Sequence, residues 1–150
     1  MITIKKAEQK DLKEILALQY LAYQSEAKLF GSMDIPPLKQ TIEEVFDEYE
    51  KGTVLKAVDG AGTIIGSVRA YRENETVYIG KLMVHPSMQN QGLGTKLLLA
   101  MEQEYPNQRY ELFTSTKSIS NIRLYEKLGY KKYKEEAVSE ELQFVYLEKI

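Results

Sequence analysis

Apolar and polar positions along the chain alternate between two periods, and the changes of period mark its elements. Ile2–Lys6 alternates apolar and polar, which predicts a short strand. Leu12, Ile15, Leu16, Gln19, Ala22 and Tyr23 then recur at helical spacing, predicting a helix from Leu12 to Tyr23. Asp11 with Glu14 three residues on reads as a capping box at its start. Ser25–Gln40 loses the period and holds Pro36-Pro37, so it reads as a loop with a short helical turn. Thr41 and Glu44 form a second capping box, and Gly52 stops that helix. Thr53–Val58, Thr63–Tyr71 and Thr76–Val84 read as three strands joined by the turns Asp59-Gly60-Ala61-Gly62 and Glu73-Asn74-Glu75. Leu93–Tyr105 is helical and ends at Pro106; Arg109–Thr114 is a strand; Ser120–Leu128 is a helix stopped by Gly129. Strands at Tyr130–Glu136 and Leu142–Lys149 follow.

The order is β-α-α-β-β-β-α-β-α-β-β. The middle strands meander antiparallel, while the fourth and fifth flank a helix and should run parallel through a right-handed crossover. The expected class is α/β (α+β): a mixed, mostly antiparallel sheet of about seven strands with helices on both faces. No repeat, low-complexity tract or linker divides residues 1–150, which read as a single domain.

Composition narrows the chemistry. The 150 residues carry 20 basic and 22 acidic side chains for a net charge of −2, without the basic stripe that binding to nucleic acid would need. There is no cysteine and a single histidine, His85, which excludes disulfides, thiolate zinc sites, a cysteine nucleophile and a multi-histidine metal site. Apolar runs such as Leu97–Met101 fall far short of the ~18 residues of a membrane span. The N-terminal stretch shows no apolar signal core. The expectation is a cytoplasmic protein with no membrane or nucleic-acid partner and no metal, a monomer or homodimer.

The segment Leu82–Leu97 is the informative one. A strand ends, a loop holds Gly92 and Gly94, and a helix begins. Free amide groups at a helix N-terminus, next to glycines that let the backbone come close, favour a phosphate. Gln89, Asn90 and Gln91 are uncharged, so backbone amides would hold the anion, helped by a lysine such as Lys96. A dinucleotide fingerprint would need a third glycine where Leu97 stands, and Gly94-Thr95-Lys96 has the wrong order for a P-loop. Taken alone, a glycine turn that only caps a helix also fits.

Gln89-x-x-Gly92-x-Gly94 after a strand ending Leu-Met-Val-His-Pro resembles the acyl-CoA signature of the GNAT N-acyltransferases. The stretch Asn121-Ile-Arg-Leu-Tyr125-Glu-Lys-Leu-Gly-Tyr130 resembles the family's second signature, and the element order matches that fold over nearly the whole chain. The resemblance implies an acetyl-CoA-dependent N-acetyltransferase with acetyl-CoA as co-substrate, lying between the fourth and fifth strands. Leu82, Met83 and Val84 would offer backbone groups to an extended pantetheine, and Gln89, Asn90, Gln91, Gly92, Leu93, Gly94 and Thr95 would take the pyrophosphate. Tyr125 matches the family's general acid, which protonates the departing thiolate; with 11 tyrosines in the chain, packing is its alternative role. Asn121 lies one turn before Tyr125, and Ser118 stands where the family often has an asparagine, so the resemblance leaves the contact to coenzyme A open between the two.

The resemblance names no base. Members that acetylate protein N-termini often carry a glutamate on the fifth strand, where this chain has Phe113. In the family the end of the first helix lines the acceptor pocket, which implicates Tyr20, Tyr23 and Glu26; aromatic packing on the sheet is the alternative. His85 reads as a turn residue, and the acidic run Glu43, Glu44, Asp47, Glu48, Glu50 as a solvated helix face. The expected acceptor is a primary amine, that of a small molecule or else a protein lysine or N-terminus. A non-catalytic acyl-CoA-binding module and an interaction protein with an unused pocket are the readings from other classes.

Overall fold

The computed structural model describes residues 1–31, 35–140 and 142–150. Its first strand, β1 (Thr3–Lys6), leads through a 3₁₀ turn into α1 (Leu12–Phe30). This helix is longer than its predicted end at Tyr23. Gly31, at φ +72°, caps it and donates its N–H to the carbonyls of Ala27 and Lys28, so the helix continues to the first residue that adopts the left-handed conformation cheaply. The predicted loop from Ser25 to Gln40 is therefore helical over its first third. Its Pro36-Pro37 end forms the short α2 (Pro36–Lys39), and residues 32–34 between lie outside the described residues.

The start of α1 also differs from expectation. Asp11 does not cap it: the carboxylate turns back to accept the N–H of Glu8 at 2.8 Å and the ammonium of Lys56 at 2.6 Å. Glu14 instead accepts the N–H of Ile64 at 2.9 Å and ties α1 to the sheet. The box at α3 (Ile42–Lys51) is as expected, with Glu44 N–H donated to Thr41 Oγ1 and Thr41 N–H to Glu44 Oε1.

Strands β2 (Thr53–Val58), β3 (Ile64–Glu73) and β4 (Thr76–Val84) form the antiparallel meander. Helix α4 (Leu93–Glu104) then crosses to β5 (Arg109–Ser115), α5 (Ile119–Lys127) follows, and β6 (Lys131–Ala137) and β7 (Gln143–Lys149) close one seven-stranded sheet. The strand order is β1-β2-β3-β4-β5-β7-β6, with β4 and β5 the parallel pair.

Each face of the sheet buries its own apolar cluster. On one, α4 contributes Leu97, Leu98 and Met101, each 0% exposed, over Leu55, Ala57, Val68 and Val77. Full burial of side chains of this size contributes about 1.5–3 kcal/mol apiece. On the other, α1 and α3 pack Ile15, Leu18 and Val45 over Val54, Ile64 and Met83. Val77 and Ile79 face the first cluster, but Met83, at the same alternation, faces the second. An inserted residue explains the switch. Gly80 to Met83 on β4 stands opposite only Ser67 to Arg69 on β3, and Lys81 in the bulge has φ +53°. From the bulge onward Leu82 and Val84 point to the first cluster instead.

Candidate active site

The parallel pairing of β4 with β5 is brief. Thr76, Val77 and Tyr78 pair with Arg109, Tyr110 and Glu111, and beyond them the strands part. β5 keeps its partner β7 as far as Ser115, and β4 keeps β3 as far as Val84, so the fork opens only between β4 and β5. Backbone groups facing into the fork have no strand partner there, which suits an extended ligand able to satisfy them.

At the mouth of the fork stands the glycine loop. Asn90 at φ +64° and Gly92 at φ +80° both take left-handed conformations, and Gly92 is the N-cap of α4. The first intrahelical bond here is that of Lys96 N–H to Gly92 O, leaving the amides of Leu93, Gly94 and Thr95 without a helical partner. A Cβ on Gly92 would meet nothing within 4 Å, so glycine is used there for its backbone conformation and leaves open space above the helix start.

These features border a cleft of about 550 Å³. Leu82, Met83, Val84, Gln89, Asn90 and Gly92 to Thr95 all line it, as the sequence led one to expect. Gln91 does not: its side chain is exposed outside the cleft. Lys96 does not either, being exposed on the outward face of α4; the lysine that borders the cleft is Lys127 of α5. Ala22, Ser25 and Met88 line it without having been singled out, since small and apolar side chains carry no signal of a ligand.

Ser118 and Asn121 both border the cleft but differ in what they have free. Asn121 Nδ2 donates to Glu26 Oε1 at 3.0 Å and lies 3.4 Å from Thr114 Oγ1. Ser118, at the N-cap of α5, is 3% exposed, and its hydroxyl oxygen has no hydrogen-bond partner. An unsatisfied buried hydroxyl costs stability, so Ser118 is the one of the pair with an unused bond to give.

A second chamber of about 200 Å³ adjoins the first. Tyr23, Glu26, Leu82 and Asn121 line both, which makes them the point where the two meet. Tyr125, 6% exposed, lines the second chamber. Burial, and then the charge of Glu26, holds its phenol above the ordinary tyrosine range. Tyr23 is raised by burial and by Glu26 in the same way. Glu26 is itself raised by burial, opposed by the hydrogen bond from Asn121. Two phenols that keep their protons thus flank a carboxyl that takes one up more readily than usual.

Tyr20 stands apart. Its hydroxyl donates to the carbonyl of Gln40, and it lines neither cavity; with Gln19 Nε2 donating to Pro37 O at 2.8 Å it fastens the α2 segment to α1. Glu48 is also not part of a free solvated face, because it lies 3.2 Å from Arg69 Nη1 and 3.8 Å from Lys81 Nζ. His85 is a turn residue whose Nδ1 accepts from Ser87 N–H at 3.1 Å.

A family model described as an acetyltransferase (GNAT) domain matches residues 13–150. In Bacillus subtilis (strain 168), the UPF0157 protein YqkA is 26% identical over 121 residues, covering 80% of this chain and 34% of that protein, so the chain spans about a third of that relative's length. Among solved structures, the ribosomal-protein-S18-alanine N-acetyltransferase of Escherichia coli superposes with a TM-score of 0.81 at 17% identity, covering 99% of this chain and 93% of that one. The PaiA N-acetyltransferase of Thermoplasma acidophilum, in complex with coenzyme A, gives 0.78 at 17% identity over 99% and 98%. At these identities the likeness is one of fold.

Proposed function

The chain belongs to the GNAT acetyltransferase family, and from that premise we propose that residues 1–150 form one acetyltransferase domain that moves an acetyl group from acetyl-CoA to the primary amine of a small molecule. The observation that carries this reading is the meeting of two cavities at Tyr23, Glu26, Leu82 and Asn121, with the glycine loop bordering one and Tyr125 the other. The residues fit a pantetheine pyrophosphate. The amides of Leu93 to Thr95 are free, open space lies over Gly92, the β4 edge is unpaired in the fork, and Ser118 has a spare hydroxyl. Acetyl-CoA supplies an activated acyl group on a good leaving thiolate.

The protein's own groups then manage two protons. An alkylammonium, with an ordinary pKa of ~10.4, must lose one before its nitrogen attacks. Glu26, raised by burial at the junction, takes that proton. As the new C–N bond forms and the C–S bond breaks, the Tyr125 hydroxyl gives its proton to the departing sulfur. Tyr125 recovers it from the new amide nitrogen, while the proton on Glu26 passes to solvent. Products are the N-acetyl amine, coenzyme A thiol and one proton, with attack direct and both substrates bound together.

A non-catalytic acyl-CoA-binding module would not need an ionisable carboxyl and a phenol at the junction and a second phenol in the adjoining chamber. The test is calorimetric titration with coenzyme A followed by thiol release in the presence of acetyl-CoA and an amine panel. Binding with turnover supports the reading; binding with no turnover for any amine refutes catalysis, and no binding at millimolar coenzyme A refutes the site. Gly92→Glu, which sets a carboxylate among the free amides, should abolish binding.

A further inference from the structure

Away from its junction with the cleft the second chamber is mostly apolar, with Lys81, Thr114 and Ser115 its polar exceptions. Its walls are Pro36 and Pro37 from α2, Leu112 and Phe113 from β5, and Leu142 and Phe144 at the start of β7. The two prolines have no N–H to donate. Phe113 is 49% exposed although its ring lies 4.9 Å from that of Phe144 and 5.4 Å from that of Tyr146. Three segments far apart in the chain thus bring apolar side chains to the chamber that Tyr125 lines.

Charge is unevenly placed around this space. Glu26 lies where the chamber meets the cleft, next to the acyl-transfer point, and is the chamber's one acidic residue among the described residues that line it. Lys81, its one cation, is held near Glu48 on the α3 side. An acceptor with one ammonium can therefore set that group at Glu26 and lay its body on the prolines and phenyl rings. A second ammonium along the body would lose its hydration against the same wall with no carboxylate to replace it. The Thr114 and Ser115 hydroxyls there already accept from Asn121 Nδ2 and Lys117 N–H, so a peptide backbone would meet mainly proline, leucine and phenylalanine side chains where it needs hydrogen-bond partners.

We propose that the acceptor is a monoamine with an uncharged apolar body, an arylalkylamine or branched alkylamine, and that Phe113 and Phe144 select it. This rests on the acyl-transfer reading above. At about 200 Å³ the chamber has the volume of roughly seven liquid waters, at ~30 Å³ each, enough for one small ring and a short linker.

Phenethylamine, isoamylamine, spermidine, phenylalanine and an N-terminal alanine peptide are compared in two measurements. One is kcat/KM by thiol release from acetyl-CoA; the other is calorimetric binding of the same amines to the enzyme saturated with coenzyme A. Phenethylamine and isoamylamine should lead by at least about tenfold in both, and kcat/KM should climb about fourfold per methylene from methylamine to butylamine. Phe113→Ala, at a half-exposed position and with thermal melts to show that the variant is folded, should lower phenethylamine binding and kcat/KM about tenfold. Its effect on methylamine, which is too short to reach the ring, should be several-fold smaller. Spermidine, phenylalanine or the peptide matching phenethylamine would overturn the proposal, as would a Phe113→Ala loss shared equally by methylamine. If no amine is turned over, acyl transfer fails as a reading, and the binding ranking alone upholds or overturns the acceptor class.

Discussion

Replacing Tyr125 by phenylalanine removes one oxygen from the wall of the second chamber. The ring is 6% exposed and tilts against Tyr130 at 6.2 Å, and phenylalanine keeps all of that surface. Stability should therefore move by less than about 1 kcal/mol, which for a chain of this length is within about 4 °C in Tm. The proposed acetyl-CoA site is the glycine loop and the β4 edge, away from this hydroxyl, so its Kd should stay within about twofold. Turnover should fall by roughly 10²–10³, the usual cost of losing a positioned general acid. That corresponds to about 2.7–4.1 kcal/mol of barrier at ~1.36 kcal/mol per decade. The drop should be the same in kcat and kcat/KM, because the proton moves only as the C–S bond breaks. Burial and Glu26 hold this phenol above its ordinary pKa of about 10, so the wild type should show no loss of rate from tyrosine ionisation below that pH. The assay is steady-state thiol release with both substrates saturating, alongside thermal melts. A Tyr125→Phe enzyme with parental kcat and unchanged Tm would remove the hydroxyl from the mechanism; a melt lowered by ten degrees with intact kcat would make the residue one of packing.

Glu26→Gln should separate function from stability. Its folded pKa is raised, so Glu26 favours the fold below the unfolded carboxylate pKa and that contribution is lost as pH rises through the folded value; the Gln variant should thus gain Tm relative to the parent more at pH 8 than at pH 4, while losing turnover and the acid limb of its rate profile. An equal Tm difference at both pH values would contradict this. Gly92→Ala holds φ near +80°, which costs a residue with a Cβ about 1–2 kcal/mol; since that Cβ also enters the open space assigned to the pyrophosphate, denaturant melts should register the loss and calorimetry a weaker coenzyme A affinity, and parental affinity would place the phosphates elsewhere. Ser118→Ala deletes a buried hydroxyl that has no partner in the free protein, so Tm should hold or rise while coenzyme A binds about five- to tenfold more weakly; unchanged affinity would leave that oxygen without a role.

The glycine loop and the fork were legible in the sequence because their signals are local. Gly92 and Gly94 sit where a strand pattern gives way to a helical one, and the positions from Leu82 to Thr95 that touch the cleft are nearly consecutive. The end of α1 was not legible for a related reason. Ala22, Tyr23, Glu26 and Ala27 continue the helical spacing, but a glutamate at an inward position reads as a break in an apolar stripe. That same glutamate is the charged group at the junction, so the rule failed where the site departs from core packing. Asp11 misled for want of long-range information: its partner Lys56 is 45 residues away, on β2. Of the second chamber the sequence reached only Tyr23, Glu26, Asn121 and Tyr125; its far walls were not legible because α2, β5 and β7 supply them, and the β5–β7 pairing brings Phe113 and Phe144 together.

The bulge at Lys81 acts on β4 as a change of reading frame. Upstream of it the odd-numbered residues Val77 and Ile79 face the α4 side; downstream the even-numbered Leu82 and Val84 do. Most substitutions in this strand disturb one contact. Loss of the single residue Lys81 would instead swap every side chain beyond it to the opposite face, exposing Leu82 and Val84 to the α1 side and setting Met83 against α4. A strand that tolerates exchange of its letters but not their number is under a constraint on insertions and deletions separate from the one on composition. Because the shifted half is the edge facing the fork, such a change would rearrange the site before it touched any residue that carries chemistry.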